Sequence, residues 1–206
     1  MKRLPAGLLL PIGPACVAVI RFVIPGGSGD VGAEVAADPG AQRLVLLLGL
    51  PALFTLLPGA YAALRITRPH RPRLTAWAGG LLIPGYLAMT VLAAGDNAVM
   101  AGHDIGLPPA TVTRLSDEIM SLTAVPVLVF VVGHIAGTIL LGLAAWGLVP
   151  KWASAALIVS QPLHLLAVVV TAPWLDLFGW GLTAVGMAAL ALRGGRPVPA
   201  PAAAAT

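Results

Sequence analysis

The sequence predicts an all-α fold, a polytopic membrane bundle of six transmembrane helices, and three observations predict it. The 206 residues are 58% hydrophobic and only 10% charged, with a mean hydropathy of +0.94. So apolar a chain cannot cover itself with polar surface as a water-soluble domain does. Apolar runs close to twenty residues long recur six times, each enough to cross a hydrocarbon core of about 30 Å at about 1.5 Å rise per residue. Lys2 and Arg3, then Arg65, Arg68, Arg71 and Arg73, then Lys151, then Arg193 and Arg196 fall in every second segment between runs. The eight acids, Asp30, Glu34, Asp38, Asp96, Asp104, Asp117, Glu118 and Asp176, fall at the alternate ends.

Short loops rich in Lys and Arg stay cytoplasmic. Both termini therefore read as inside, and the location as a bacterial plasma membrane crossed several times. A pI near 10 does not indicate nucleic acid, because the cations are spread along loops and form no basic stripe. The single cysteine, Cys16, forms no internal disulfide. Gly13-Pro14-Ala15 is a poor approach to a lipid-modified cysteine, and Val35-Ala36-Ala37 offers a signal-peptidase site; the reading kept is a retained first span.

That span covers residues 4–24 and ends at Pro25-Gly26-Gly27-Ser28-Gly29, after which an acidic loop with turn chemistry is expected to Gln42. Arg21, at its outer end, either snorkels to the headgroups or pairs with an outer acid. The second span, residues 44–66, contains Pro51 and Pro58-Gly59 and should kink. The turn from Arg65 to Arg73 is a cytoplasmic anchor facing anionic lipid, with His70 read as an exposed loop residue. The third span, residues 74–100, starts at Trp77 and passes Pro84-Gly85-Tyr86. If its helix continues outward, Asp96, Asn97, His103 and Asp104 share one third of its circumference. The alternative is that the helix simply leaves the bilayer there.

A loop from Gly106 to Leu115 precedes Ser116, read as an N-cap with Asp117 and Glu118 in the first turn. The fourth span, residues 119–149, is long enough to tilt, and Gly133-His134-Ile135-Ala136-Gly137 is a small-xxx-small pattern that admits another helix. The fifth span, residues 153–172, carries Ser160, Gln161, Pro162 and His164. Counting back from the turn at Pro150-Lys151-Trp152 sets His134 and His164 within about one helical turn of each other in depth. The sixth span, residues 174–192, opens beside Asp176, which helix-dipole capping explains. The bundle thus occupies residues 1–196, and the Pro/Ala tail at 197–206 reads as disordered. The five tryptophans read as interfacial belts, Trp77, Trp146 and Trp152 inside, Trp174 and Trp180 outside.

Pro72-Arg73 and Pro150-Lys151 each follow a cytoplasmic turn and precede an in-helix proline by twelve residues, Pro84 and Pro162. This suggests that the hairpin of spans two and three is a parallel copy of that of spans four and five, with Tyr86 equivalent to His164.

The residues open to chemistry at mid-depth are His134, His164, Gln161 and Tyr86, since an ionisable or polar group there is costly without a partner. An interhelical hydrogen bond is the structural explanation. Three functions compete with it. One is a proton or small-ligand site in a carrier or sensor. Another is haem b held by His134 and His164, with Gly133 and Gly137 making room; no cofactor is otherwise indicated. The third is an embedded enzyme on a lipid or isoprenoid, of acid-catalysed cyclase or transferase type, using Asp96, His103 or Asp104. No phosphate loop, nucleophile elbow or His-Glu-x-x-His zinc motif is present, so the balance leans away from an enzyme. Expected partners are the bilayer, a small hydrophobic ligand, no nucleic acid, and a second copy through the Gly133/Gly137 face.

The segment from Gly133-His134-Ile135-Ala136-Gly137-Thr138 through Gly142-Leu143-Ala144-Ala145-Trp146 and Val149-Pro150-Lys151-Trp152 to Ser160-Gln161-Pro162-Leu163-His164 resembles small uncharacterised multi-pass proteins of actinobacteria, of the domain-of-unknown-function kind. The resemblance implies six helices and carries no activity.

Overall fold

In the computed structural model, residues 9–24 and 29–194 are described. The start of the expected first span and the Pro/Ala tail lie outside them. All regular structure within them is helical: α1 (Ile12–Val23), α2 (Val31–Ala37), α3 (Pro39–Thr67), α4 (Pro72–Asp104), α5 (Pro109–Leu122), α6 (Ala124–Ala145), α7 (Lys151–Val169) and α8 (Pro173–Gly194). Five of these, α3, α4, α6, α7 and α8, are long and apolar enough to cross a membrane. The described part of the first span, α1, is a shorter apolar helix of 12 residues.

Helix starts follow local chemistry. Pro39, Pro72 and Pro109 each open a helix at its first turn, where the missing N–H would have had no partner. The Asp38 side chain also accepts from the Ala41 N–H at 2.9 Å. At the end of α4, Gly106 adopts φ 80°, which lets the Leu107 N–H return to the Gly102 carbonyl and closes the helix.

Helices α1, α3, α4, α6, α7 and α8 pack in chain order, each on the next, and α8 returns to α1 to close a ring. Large apolar side chains such as Leu47, Phe54, Leu128, Val169 and Leu192 point outward from it, which suits a lipid surround and not water. Glycines set the closest approaches. A Cβ on Gly133 would stand 2.6 Å from the Leu81 carbonyl oxygen and 2.8 Å from the Gly85 Cα, so α4 and α6 meet backbone to backbone. Gly137 is likewise filled by Leu82, so the face expected to receive a second copy is occupied by α4 of the same chain.

At one end of the ring, the turns after α3 and α6 are tied together. Arg71 Nη1 donates to the Leu143 carbonyl at 3.0 Å, and His70 Nε2 donates to the Trp146 carbonyl at 3.1 Å. The Arg71 bond adds to the long one that the Leu143 carbonyl accepts from the Trp146 N–H at 3.3 Å, and the His70 bond satisfies the carbonyl of the C-cap residue Trp146. His70 is exposed as expected, yet it is a bonded clamp and not a free loop residue.

At the other end, α2 and α5 form a cap, and here three expectations are corrected. The acidic loop contains α2, because Asp30 caps it by accepting from the Ala33 N–H at 3.0 Å. The loop before Ser116 is the first part of α5, opened by Pro109; Ser116 lies inside that helix and caps nothing. The fourth span is not one helix. It breaks at Thr123, where Pro126 cannot donate to the carbonyl four residues back and its ring crowds it. Gly32 lies so close to the Pro109 carbonyl that no Cβ would fit. Val35, Val99, Met100 and Val112 make a small separate core beneath the cap. Arg43 and Arg114 stand at this end among the acids, with Arg43 paired to Asp104 at 3.0 Å, so the charge alternation is less clean than the loops alone suggest.

Candidate functional site

Beneath the cap lies a cavity of about 500 Å³ to which all eight helices contribute lining residues. Its wall is mostly aliphatic, with Arg21, Asp96, Asn97, His134 and His164 among its few polar members.

The hairpin count places the two histidines at similar depth, and the structure brings their rings together, with centroids 5.3 Å apart and planes tilted 57°. Helix rotation, which the count leaves open, is set by glycines. Gly85 against Gly133 fixes α6 beside His134, and a Cβ on Gly179 would lie 3.2 Å from the His164 N, so α8 presses on α7 at that residue.

His134 is 1% exposed. Its Nδ1 stands 2.6 Å from the Phe130 carbonyl, which only accepts, so Nδ1 carries the proton. A neutral ring then presents Nε2 as an acceptor, and that atom is buried with no partner among the described residues. The ring stacks on Phe130 at 4.3 Å and on Trp180 at 5.5 Å.

His164 Nδ1 lies 2.6 Å from Asp176 Oδ1, and Arg21 Nε donates to Asp176 Oδ2 at 2.7 Å. Trp180 Nε1 stands 3.3 Å from the same imidazole nitrogen. One nitrogen cannot give a proton to Asp176 and receive one from Trp180. The shorter contact, to a carboxylate that Arg21 holds, takes the proton.

Asp176 is therefore no simple helix-dipole acid: it is 3% exposed and joins α1, α7 and α8. Arg21 is resolved as a partner of an outer acid and does not merely snorkel. Trp180 is corrected too. It is 1% exposed and packs on both histidines, whereas Trp77, Trp152 and Trp174 remain on the surface. Spacing gives one usable signal for this cluster, since Asp176 and Trp180 sit four residues apart on one helix face.

The other expected residues separate. α4 continues to Asp104, and of the four residues on its outer face Asp96 and Asn97 line the cavity while His103 and Asp104 do not. Gln161 is fully buried but turns to α8, donating to Thr183 Oγ1 at 3.1 Å and to Ser160 Oγ at 3.2 Å. Tyr86 is buried against the core, away from the cavity wall, where its hydroxyl faces the Thr138 side chain of α6 and not the cavity.

Haem ligation requires the macrocycle to lie between the two imidazoles. The tilted rings at 5.3 Å, with Trp180 stacked on His134 and the Gly133/Gly137 groove filled by α4, do not fit it. Among the described residues no group of three His, Cys, Asp or Glu side chains could hold a metal ion.

The chain matches no family model, no curated protein and no solved structure.

Proposed function

We propose that this chain is a plasma-membrane protein of carrier or sensor type that binds a small ligand in the capped cavity, with His134 as the central contact. The observation that carries the reading is His134 Nε2, an acceptor buried without a partner in the wall of a cavity of about 500 Å³. A lone buried acceptor costs about 1–3 kcal/mol, and a ligand donor would recover that cost. In this reading α1 belongs to a sixth crossing segment, both chain ends face the cytoplasm and the cap faces outside; the clustering of Arg65, Arg68, Arg71, Arg73 and Lys151 at the opposite end supports that orientation. The in-helix prolines Pro84 and Pro162 support the hairpin repeat as its origin.

The test is a screen of thermal shifts with small hydrophobic compounds on the purified protein. Ligands that stabilise the natural chain and not His134→Ala are expected; a flat response across the screen overturns the reading. Reporter fusions after Asp38 and after Arg73 are expected on opposite sides of the membrane.

A second reading, an embedded enzyme on a lipid or isoprenoid, is favoured by one observation, the carboxyl of Asp96 in the same cavity wall as His134. Product analysis comparing Asp96→Asn with the natural chain tests it; an unchanged product profile removes Asp96 as acid or base.

A further inference from the structure

We propose that the ligand of the capped cavity is a neutral lipophilic alcohol taken up from the bilayer, with its hydroxyl hydrogen donated at the imidazole pair of His134 and His164. This rests on the binding reading above and adds the chemistry of what is bound.

The charges of the wall are already engaged with one another. Arg21 and Asp96 are the charged residues that line the cavity among the described residues. Arg21 is held by Asp176 at 2.7 Å and also acts on Asp96. Asp96 is far from the histidines. Gly85 packs against the His134 backbone, and Asp96 lies eleven residues further along α4, about 16 Å away. A charged head at the histidines would meet no free counter-charge, at a depth where an unpaired charge is costly. The head that fits there is neutral.

Hydrogen-bond capacity then selects a donor. The Nδ1 protons of both histidines are committed, one to the Phe130 carbonyl and one to Asp176. A bond made at one ring nitrogen fixes the state of the other, so each neutral imidazole keeps Nε2 as an acceptor. Nε2 of His134 is sealed in the wall without a partner among the described residues. The hydrogen bonds of His164 are on Nδ1, and its side chain is 11% exposed where it lines the cavity. Its Nε2 is the acceptor that a ligand reaches first, and the His134 ring stands 5.3 Å behind it. An ether or ester has no hydrogen to give, and a carboxylate adds a charge that Asp176 and Asp96 oppose.

Between that head and the cap the wall is mostly aliphatic, with Ile20, Val45, Leu53 and Leu92 among its members, so the body of the ligand is hydrocarbon. The same wall includes Leu50, Val131 and Val168, which are 57%, 36% and 46% exposed. Side chains this exposed that also line the cavity bring it to the lipid-facing side of the helix ring, within reach of a molecule dissolved in the bilayer.

The experiment compares three compounds with one tail and different heads, octanol, octyl methyl ether and octanoate. The full-length chain is placed in nanodiscs of neutral phosphatidylcholine, and affinities are referred to the concentration of each compound in the bilayer. Trp77, Trp146, Trp152 and Trp174 are changed to Phe, leaving Trp180, which packs on both histidines, as the fluorescent reporter. Octanol is expected to give a saturable change at least tenfold tighter than the ether, about 1.4 kcal/mol, and octanoate none. His164→Phe is expected to bring octanol down to the level of the ether, and Asp96→Asn to leave both unchanged.

Equal affinity for octanol and the ether, tightest binding of octanoate, octanol binding indifferent to His164→Phe, a loss from Asp96→Asn as large as that from His164→Phe, or no saturable response to any of the three would each overturn the alcohol assignment. The binding reading fails separately, only when the wider thermal-shift screen is flat as well. Circular dichroism and elution of each variant show whether the fold is intact. If His164→Phe or the chain with Trp180 alone misfolds, nitrogen NMR of isotope-labelled histidine in the natural chain decides. A histidine Nε2 signal is expected to move with octanol and not with the ether; signals that respond to neither, or equally to both, count against the assignment.

Discussion

Removing Arg21 should damage the protein more than removing the acid it binds. The Asp176 side chain is 4% exposed and that of Arg21 34%. Arg21→Gln leaves a carboxylate in the bundle interior with only His164 beside it, and stripping one member from a buried pair costs about 3–5 kcal/mol. Asp176→Asn leaves a guanidinium that can turn toward the cavity, so screening cuts the loss to about 1.5–3 kcal/mol. For a chain of this size each 1 kcal/mol moves the melting temperature by about 2–4 °C. The expected falls are thus about 6–20 °C for Arg21→Gln and about 3–12 °C for Asp176→Asn, read from heat-treated samples as the fraction that still elutes as a single species. The double variant removes both charges and should lose less than the sum of the two, by about 0.5–3 kcal/mol of coupling. Strict additivity, or a larger loss from Asp176→Asn than from Arg21→Gln, would refute the reasoning.

Gly133→Ala places a methyl 2.6 Å from the Leu81 carbonyl and should destabilise by about 1–3 kcal/mol; Gly181→Ala, which meets nothing within 4 Å, should be neutral or gain up to about 1 kcal/mol, and the same thermal measurement compares them. Gln161→Leu breaks the bond to Thr183 and should cost about 0.6 kcal/mol, with ligand-dependent thermal shifts unchanged because the side chain faces α8; a lost ligand response would contradict that placement. The Thr113 hydroxyl and the Ala33 N–H hold the Asp30 carboxyl below its ordinary value. Its contribution to fastening α2 on α5 is therefore full above the ordinary carboxylate range and is lost as pH falls through the lowered folded value. Hydrogen exchange of the Gly32 and Ala33 amides should stay slow at neutral pH and quicken only in acid, and Thr113→Val should make them fast at both.

The long helices α3, α4, α6, α7 and α8 were readable because a hydrophobic run close to twenty residues has few other uses. The shared depth of His134 and His164 followed from rise per residue alone, since the turn at Pro150 sets the origin for both helices. What depends on rotation about a helix was not readable. When every face of a helix is apolar, hydropathy does not say which one meets a neighbour, so Trp180 looked like an interfacial residue. Asp176 was missed for another reason: a carboxylate in a first turn has a sufficient local explanation, and its partner Arg21 is 155 residues away. The cap escaped because α2 has only 7 residues, too short for a period, and because the break at Thr123 lies inside a continuous apolar stretch where only Pro126 hints at it.

The central claim is that His134 offers a bare Nε2 to a ligand-sized space. Nitrogen NMR of isotope-labelled histidine in the membrane-embedded protein, assigned by the signals missing in His134→Phe, tests it most directly. The account predicts a protonated Nδ1 and an unprotonated Nε2 for His134 in the free protein, with the Nε2 signal moving when a compound that stabilises the protein in the thermal-shift screen is added. A protonated Nε2 that ignores every compound in the thermal-shift screen would contradict it.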